Sequence, residues 1–580
     1  MSSEINIEDA DSVSDFNDIP DTFVNIPLKK FPLVITFHKF LMMLNGTLGS
    51  SYFERFPEAR QGIRGNRISS SVALQTFIRL KEVTFDRFCS LYWPQFNSNH
   101  KKNLDPSRVF IEIISHIKGG LQAGEYSDGK LSFEGYSLLG RSRNSTLTQK
   151  KRENVYSLYQ AYENMKTKRG EFDLGDLVID IHRRLKNVKY EGDQMDFIYI
   201  DEVQDLSMRQ ISLFKYLCQN VDEGFVFAGD TAQTIARGID FRFQDITSLF
   251  YKEFLTCRTG KQEKGCLSEI FQLKQNFRTH AGVLDLAQSV IDILYCYFPH
   301  SMDILEPETS LISGEAPVLL ESSNDENPIV KIFGGSRSGP EVVGFGAEQV
   351  ILVRDDVVKT EICEYIGKKA LVLTILECKG LEFQDVLLYN FFATSPLKDQ
   401  WRVIYEYMKE HAWLDEKLSQ SFPNFCESRH GVLCSELKQL YVAITRTRQR
   451  LWICENKEEL SKPMFDYWKR RGLVQERMLD YSVAQAMRVA SSPQEWRERG
   501  KKLFFEKNYM MATMCFERAG DKMWETLAKA SRLRSFGEHI RGTNPKAFVG
   551  YVREAARMFE SIGKFESAAS CFCDLGEYKK

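Results

Sequence analysis

The sequence lacks long apolar runs, paired cysteines and an excess of either charge. No stretch approaches the roughly 20 residues that a membrane-spanning helix needs, and the N-terminal residues are acidic rather than leader-like. No membrane partner is expected. The 13 cysteines are scattered, none in a Cys-x-x-Cys pair, and Cys571-Phe-Cys573 has no second pair to complete a zinc site. Reduced structural thiols in an intracellular protein are the expected state. Lys469-Arg-Arg471 reads as a solvated helix end rather than an import signal, which leaves nucleus and cytoplasm both open. A net charge of -2 excludes a global basic field, so any nucleic acid must meet a local patch or groove. Glycine is absent before Gly46, so the opening stretch cannot cradle phosphates with backbone N–H groups.

What is present points to an α/β protein. A composition of 43% hydrophobic and 27% charged residues is that of a soluble globular chain, and 580 residues exceed one core and predict three or four domains. The chain is organised around Met195-Asp-Phe-Ile-Tyr-Ile-Asp-Glu-Val-Gln-Asp205. Its apolar run reads as a buried parallel strand that stops at the acid pair Asp201-Glu202. Carboxylates at such a strand end sit where open α/β sheets bind ligands. Two of them suit a nucleotide site, one for Mg2+ and one to orient the attacking water; a solvated strand end is the plainer alternative. Gly224-Phe-Val-Phe-Ala228 predicts a second strand, ending in Gly229-Asp-Thr-Ala-Gln-Thr-Ile235, and Glu269-Ile-Phe-Gln-Leu273 a third, ending in Lys274-Gln-Asn-Phe-Arg278. Further strands are predicted at Gln349–Val353, Ala370–Thr374, Asp385–Tyr389 and Arg450–Cys454, with a basic-ended helix at Glu436–Arg448.

Elsewhere, Phe31–Phe37 reads as a strand and His38–Leu44 as the start of a helix. Gly124-Glu-Tyr-Ser-Asp-Gly129-Lys130 has phosphate-loop spacing. A helical pattern precedes it and Leu131 follows the lysine, so a surface loop is expected. From about residue 480 the pattern is purely helical and repeats. Leu503, Tyr509, Ala512, Phe516 and Gly520 are echoed, at one constant offset, by Phe559, Phe565, Ala568, Phe572 and Gly576. A small residue followed four positions later by an aromatic suits stacked helix pairs.

These strand ends, in this order, resemble the UvrD/Rep-type superfamily-one helicases. Thr36-Phe37-His38 resembles the TFH motif and Glu171-Phe-Asp-Leu-Gly-Asp176 the FDDL helix before motif II. Asp201–Asp205 resembles motif II, Gly229–Gln233 motif III and Gln275-Asn-Phe-Arg278 motif IV. Lys379-Gly-Leu-Glu-Phe383 resembles motif V and Tyr441–Arg446 motif VI. The wording around motifs II, III and V, with the helical tail, is similar to the plant group called TPR and ankyrin repeat-containing protein 1-like. The resemblance implies an α/β fold of two RecA-like parallel-sheet lobes, the first incomplete, with a helical insertion, followed by an all-α TPR-like solenoid. Residues 1–30, acidic and rich in Ser and Asp, predict a disordered segment, and the mostly helical pattern at 51–170 predicts an insertion; the resemblance then implies a first lobe from 31–50 and 171–270. It implies a second lobe at 271–478 with an insertion at 394–435, and TPR-like repeats at 479–580.

The same resemblance implies ATP and Mg2+ as cofactors. Single-stranded DNA or RNA is the implied partner, with a protein partner for the C-terminal repeats. Asp201 would hold Mg2+, Glu202 would polarise the attacking water and Gln233 would sense the γ-phosphate. Arg278 and Arg446 would be arginine fingers, a task that suits a permanently charged planar fork of donors. Glu382 would contact the ribose, with Gly380 giving close backbone approach. Thr36, His38, Phe241 and Phe243 would touch nucleic acid; the two phenylalanines replace a Tyr and a Trp that the family stacks on bases, and are equally core candidates.

Departures from the pattern matter as much. The family's Gly-x4-Gly-Lys-Thr loop, with its strand and helix and the adenine-reading glutamine, does not precede Thr36. Leu376 stands where the family commonly has His. Only a short segment separates the Gln349–Val353 strand from motif V, where relatives insert a helical subdomain. The expected function is an ATP-dependent helicase or translocase of which this chain lacks autonomous turnover. The alternative is a non-catalytic pseudo-helicase scaffold acting through its helical-repeat arm.

Overall fold

The computed structural model of the protein describes residues 20–57, 77–78, 80–102, 104–142, 147–220, 223–235, 238–255, 269–304, 306–321, 327–334, 344–414, 422–540 and 544–577. Much of the acidic segment expected at 1–30 lies outside the described residues, as do residues 415–421 of the expected insertion. The chain divides into two compact units. The first holds Met1–Gly229 and Arg237–Glu269, the second Asp230–Ala236 and Ile270–Lys580.

In the first unit, residues 31–36 form no strand, against expectation. Pro32 removes an amide donor that a ladder would use. Thr36 instead caps α1 (Phe37–Thr47), its hydroxyl accepting the Lys39 amide at 3.3 Å. The long helix α2 (Gln149–Lys168) precedes α3 (Leu174–Asn187). Asp173 opens α3 with a capping box completed by Asp176. Leu177, Val178, Ile181 and Leu185 then bury one helical stripe. Lys118 Nζ lies 2.6 Å from both Asp173 and Asp176, and Lys166 Nζ 2.6 Å from Asp173. Burial works against a charged Lys118, yet the acids outweigh it and hold its ammonium well above the usual range.

The Gly124–Lys130 segment follows helical turns, not a strand, and Lys130 pairs with Glu163 at 2.5 Å. The acid-bearing strand β1 (Ile198–Ile200) pairs in parallel with β2 (Phe225–Phe227), Ile198 opposite Phe225 and Ile200 opposite Phe227. This two-stranded sheet leaves Phe197, Tyr199 and Val226 exposed, unlike a parallel sheet covered on both faces.

The second unit contains a small parallel pair, β3 (Gln275–Asn276) and β4 (Thr309–Ser310). The third predicted strand is therefore displaced: Ile270, Phe271 and Leu273 are exposed, and pairing begins at Gln275. Between these strands runs α4 (Ala281–Tyr297). The main sheet comprises β5 (Val318–Glu321), β6 (Gln349–Val353), β7 (Leu371–Thr374), β8 (Phe383–Tyr389), β9 (Thr447–Cys454) and β10 (Gln475–Met478). Its order is β10-β5-β9-β8-β6-β7 and every neighbouring pair is parallel. Parallel neighbours need crossovers. One is α5 (Asp356–Ile366), which joins β6 to β7; α6 (Glu427–Thr445) leads directly into β9.

Every residue from Val350 to Val353 is 0% exposed, which is why this run reads as continuously apolar. Each such side chain contributes about 1.5–3 kcal/mol by burial. Five C-terminal helices follow: α7 (Pro493–Phe505), α8 (Tyr509–Ala519), α9 (Lys522–Ile540), α10 (Pro545–Ser561) and α11 (Phe565–Asp574), each packed on the next. The echoed residues occupy equivalent places. Ala512 and Ala568, and Phe516 and Phe572, are all buried.

Candidate nucleotide site

The acid pair stands at the C-terminal end of β1. Asp201 is exposed, and its Oδ1 accepts the Glu202 amide at 2.9 Å. Glu202 lies in the left-handed region, φ 51 and ψ 38. A non-glycine residue there stores about 1–2 kcal/mol of strain, a feature that recurs at ligand sites. It turns the chain sharply out of the strand. The buried Gln204 donates to the Glu202 carboxylate, and the Val203 amide bonds Ala228 O at 3.0 Å. A Cβ on Gly229 would meet Gln204 Oε1 at 2.2 Å, so only glycine lets the end of β2 lie against that support. An exposed carboxylate beside a second, oriented one fits a hard divalent cation that keeps part of its water.

Gln233 belongs to the second unit, which the chain enters at Asp230. Asp230 caps the turn Thr231–Gln233, accepting Ala232 N at 2.8 Å and Gln233 Nε2 at 2.9 Å. Gln233 Oε1 accepts Arg446 Nη2 at 2.9 Å. Arg446 follows the last residue of α6 and is 2% exposed. It also donates from Nε to Val442 O at 3.1 Å and from Nη1 to Leu381 O at 3.3 Å. One guanidinium therefore joins motif III, motif V and motif VI. Tyr441 donates to Asp230 at 3.3 Å; burial, then Asp230, holds its phenol well above the usual range.

Arg278 and Glu382, assigned by resemblance to phosphate and ribose, face each other. Arg278 Nε lies 2.6 Å from Glu382 Oε2, and Arg448 Nη1 lies 3.5 Å from Oε1. All three side chains are about two-fifths exposed, so these pairs are worth about 0–1 kcal/mol and exchange readily for a ligand. Gly380 sits at φ +80 with open space where a Cβ would point, so a ligand can approach its backbone.

Thr36 and His38 are exposed at the start of α1. Phe241 requires a correction. It is 0% exposed, lies in the core cluster of the first unit and meets Phe243 edge-to-face at 5.4 Å. It presents no face to a base. Phe243 is half-buried against the same core. Aromatic identity alone does not separate a stacking platform from a core residue. Glu163, Asp173 and Asp176 have oxygens within 4.8 Å of one another, but the ammonium groups of Lys118, Lys130 and Lys166 occupy the centre a metal would take. Sequence reasoning missed the supporting roles of Gln204 and Tyr441, although both lie inside quoted motifs, and of Arg448, which it placed at a basic helix end and which lies in β9.

The UvrD/REP helicase N-terminal domain matches residues 65–251, and the UvrD-like helicase C-terminal domain matches residues 351–458. The human protein named TPR and ankyrin repeat-containing protein 1 is 34% identical over 472 residues, covering 77% of this chain and 16% of its own length. The ATP-dependent DNA helicase PcrA of Staphylococcus epidermidis is 27% identical over 196 residues, covering 33% of this chain and 22% of its own. A probable DNA helicase II homolog of Mycoplasma capricolum is 30% identical over 154 residues, covering 26% and 19%. The chain thus spans less than a quarter of each of these relatives. No helix among the described residues is long and apolar enough to cross a membrane.

Proposed function

We propose, from the premise that this chain is a UvrD-like helicase-related protein, that it carries most of the parts of an ATP-dependent motor acting on single-stranded DNA or RNA. The observation that carries this reading is the bond between the half-buried Gln233 and the buried Arg446. It ties the turn after β2 to the end of α6 and to the backbone of motif V. A fixed guanidinium among polar switch residues suits charge stabilisation during phosphoryl transfer.

Asp201 would hold the divalent cation and Glu202 would orient water, with Gln204 keeping its carboxylate in place. Arg278, released from Glu382, and Arg446 would meet phosphate oxygens. Glu382 would turn to a ribose hydroxyl and Gly380 would leave room for it. Mg2+-bound ATP supplies the phosphoric anhydride bond whose hydrolysis drives such motors. Thr36, His38 and Phe243 are the nucleic-acid candidates that remain. The C-terminal helices are read as TPR-like repeats open to a protein partner. Among the described residues, the one segment with phosphate-loop spacing follows helical turns and has its lysine paired. That supports weak nucleotide binding without turnover by this polypeptide alone. It is also the observation that favours the second reading, a non-catalytic scaffold.

Titration with a fluorescent ATP analogue, with and without Mg2+, tests the proposal. Binding is expected to be weak, Mg2+-dependent, and further weakened by Asp201→Asn and by Arg278→Ala. Binding that ignores Mg2+ and both substitutions would overturn it.

A further inference from the structure

The motif V loop, residues 375–382 between β7 and β8, is held at both ends by the C-terminal helices. At its start, Glu377 Oε1 accepts Asn508 Nδ2 at 2.9 Å and Lys359 Nζ of α5 at 2.6 Å, while Oε2 accepts the Thr374 amide at 2.8 Å, so Asn508 shares this grip with Lys359. Asn508 caps α8. At its end, Glu382 O accepts Arg499 Nη2 at 3.2 Å, and the Arg499 guanidinium lies 4.4 Å over the Phe383 ring. Arg499 comes from α7 and its side chain is 1% exposed. It is fixed further by Ala347 O at 3.0 Å and Glu348 at 2.6 Å. Between the two grips, Gly380 touches nothing within 4 Å of its Cβ position. The carboxylate of Glu382 points instead to Arg278 and Arg448.

A helix pair needing only an anchor on the sheet has one elsewhere. Lys368 pairs with Glu517, and Arg518 donates to Phe345 O at 3.2 Å. The contacts of Arg499 and Asn508 are different in kind, because both end on the loop that carries Gly380 and Glu382. We propose that Arg499 and Asn508 are positioning residues, through which the first helix pair of the C-terminal region fixes both ends of the motif V loop and aims Glu382 at Arg278 and Arg448. Displacement of α7 and α8 by a ligand of the helical region then loosens this loop. That regulatory consequence rests on reading motif V as nucleotide-facing; the clamp itself does not.

Hydrogen exchange of the full chain, read by mass spectrometry without nucleotide, tests the clamp. Asn508→Ala removes one grip together with the α8 cap, and Arg499→Gln removes the other with that cap intact. Both are expected to speed exchange of amides 375–382 at least about tenfold while β6 and β8 keep wild-type rates. Lys368→Ala, which removes an anchor away from the loop, is expected to leave 375–382 unchanged. Unchanged loop exchange in Asn508→Ala and Arg499→Gln would overturn the proposal. So would a uniform rise across the second unit, which marks a merely structural role. The same variants are then titrated with the fluorescent ATP analogue. A loosened loop with unaltered nucleotide affinity upholds the clamp and refutes the nucleotide-facing reading of motif V.

Discussion

Replacing Arg446 by alanine removes a side chain that is 2% exposed and donates to Gln233 Oε1, Val442 O and Leu381 O at 2.9, 3.1 and 3.3 Å. Hydrogen bonds to charged groups are worth about 1.5–3 kcal/mol each. The desolvation of the guanidinium offsets part of that sum, and the truncated site is left with a cavity and unpaired acceptors. A net loss of about 3–5 kcal/mol follows, as for breaking a buried charged contact. Urea unfolding followed by tryptophan fluorescence reads this, because six of the seven tryptophans, all but Trp93, lie in the second unit. Gln233→Ala alone should cost about 1–2 kcal/mol. The double variant should then lose less than the two singles together, by a coupling of about 1–2 kcal/mol. If Arg446→Ala stays within about 0.5 kcal/mol of wild type, or the coupling is near zero, Arg446 is a surface finger and not the buried joint described above.

Lys118→Met should destabilise the first unit by about 1–3 kcal/mol, because the buried Asp173 loses one of its two ammonium partners and keeps only Lys166; loss of protection in α2 and α3 by hydrogen exchange checks this. The wild-type cluster should also fail in acid. Burial alone would raise the Glu163 carboxyl, but Lys118 and then Lys166 hold it down at about 2. The stability it contributes is present above pH of about 4.5 and is lost as pH falls towards about 2, which near-ultraviolet circular dichroism follows. Glu455 should behave oppositely. Burial pushes its carboxyl up to about 8, against the amides of Phe392 and Ala393 that bond it. Its contribution is full below about pH 4.5 and declines as pH rises through about 8, so urea midpoints at pH 6 and 9 should differ more in wild type than in Glu455→Gln.

Much of the second unit was legible because its central strands are buried on both faces. Gln349–Val353 was read to the residue, and β7, β8 and β9 overlap their predicted runs. The edge strand β10 was not legible, since Gln475-Glu-Arg-Met478 carries no apolar run. Phe31–Phe37 misled because its apolar pattern suits a strand while Pro32 does not. The motif residues were legible from type and spacing, which chemistry constrains tightly. The ion pair of Arg278 with Glu382 and the grip of Arg499 on Glu382 were not, because each joins residues more than 100 positions apart. Phe241 shows the converse limit: an aromatic beside a motif is equally suited to a core or to a base, and only packing decides.

Steady-state ATP hydrolysis by the purified chain, with single-stranded DNA, with single-stranded RNA and with neither, tests the central claim most directly. If this chain lacks autonomous turnover, as proposed, hydrolysis is indistinguishable from that of Glu202→Gln under all three conditions. Nucleic-acid-stimulated turnover of about 1–1,000 per second, abolished by Glu202→Gln, would contradict it.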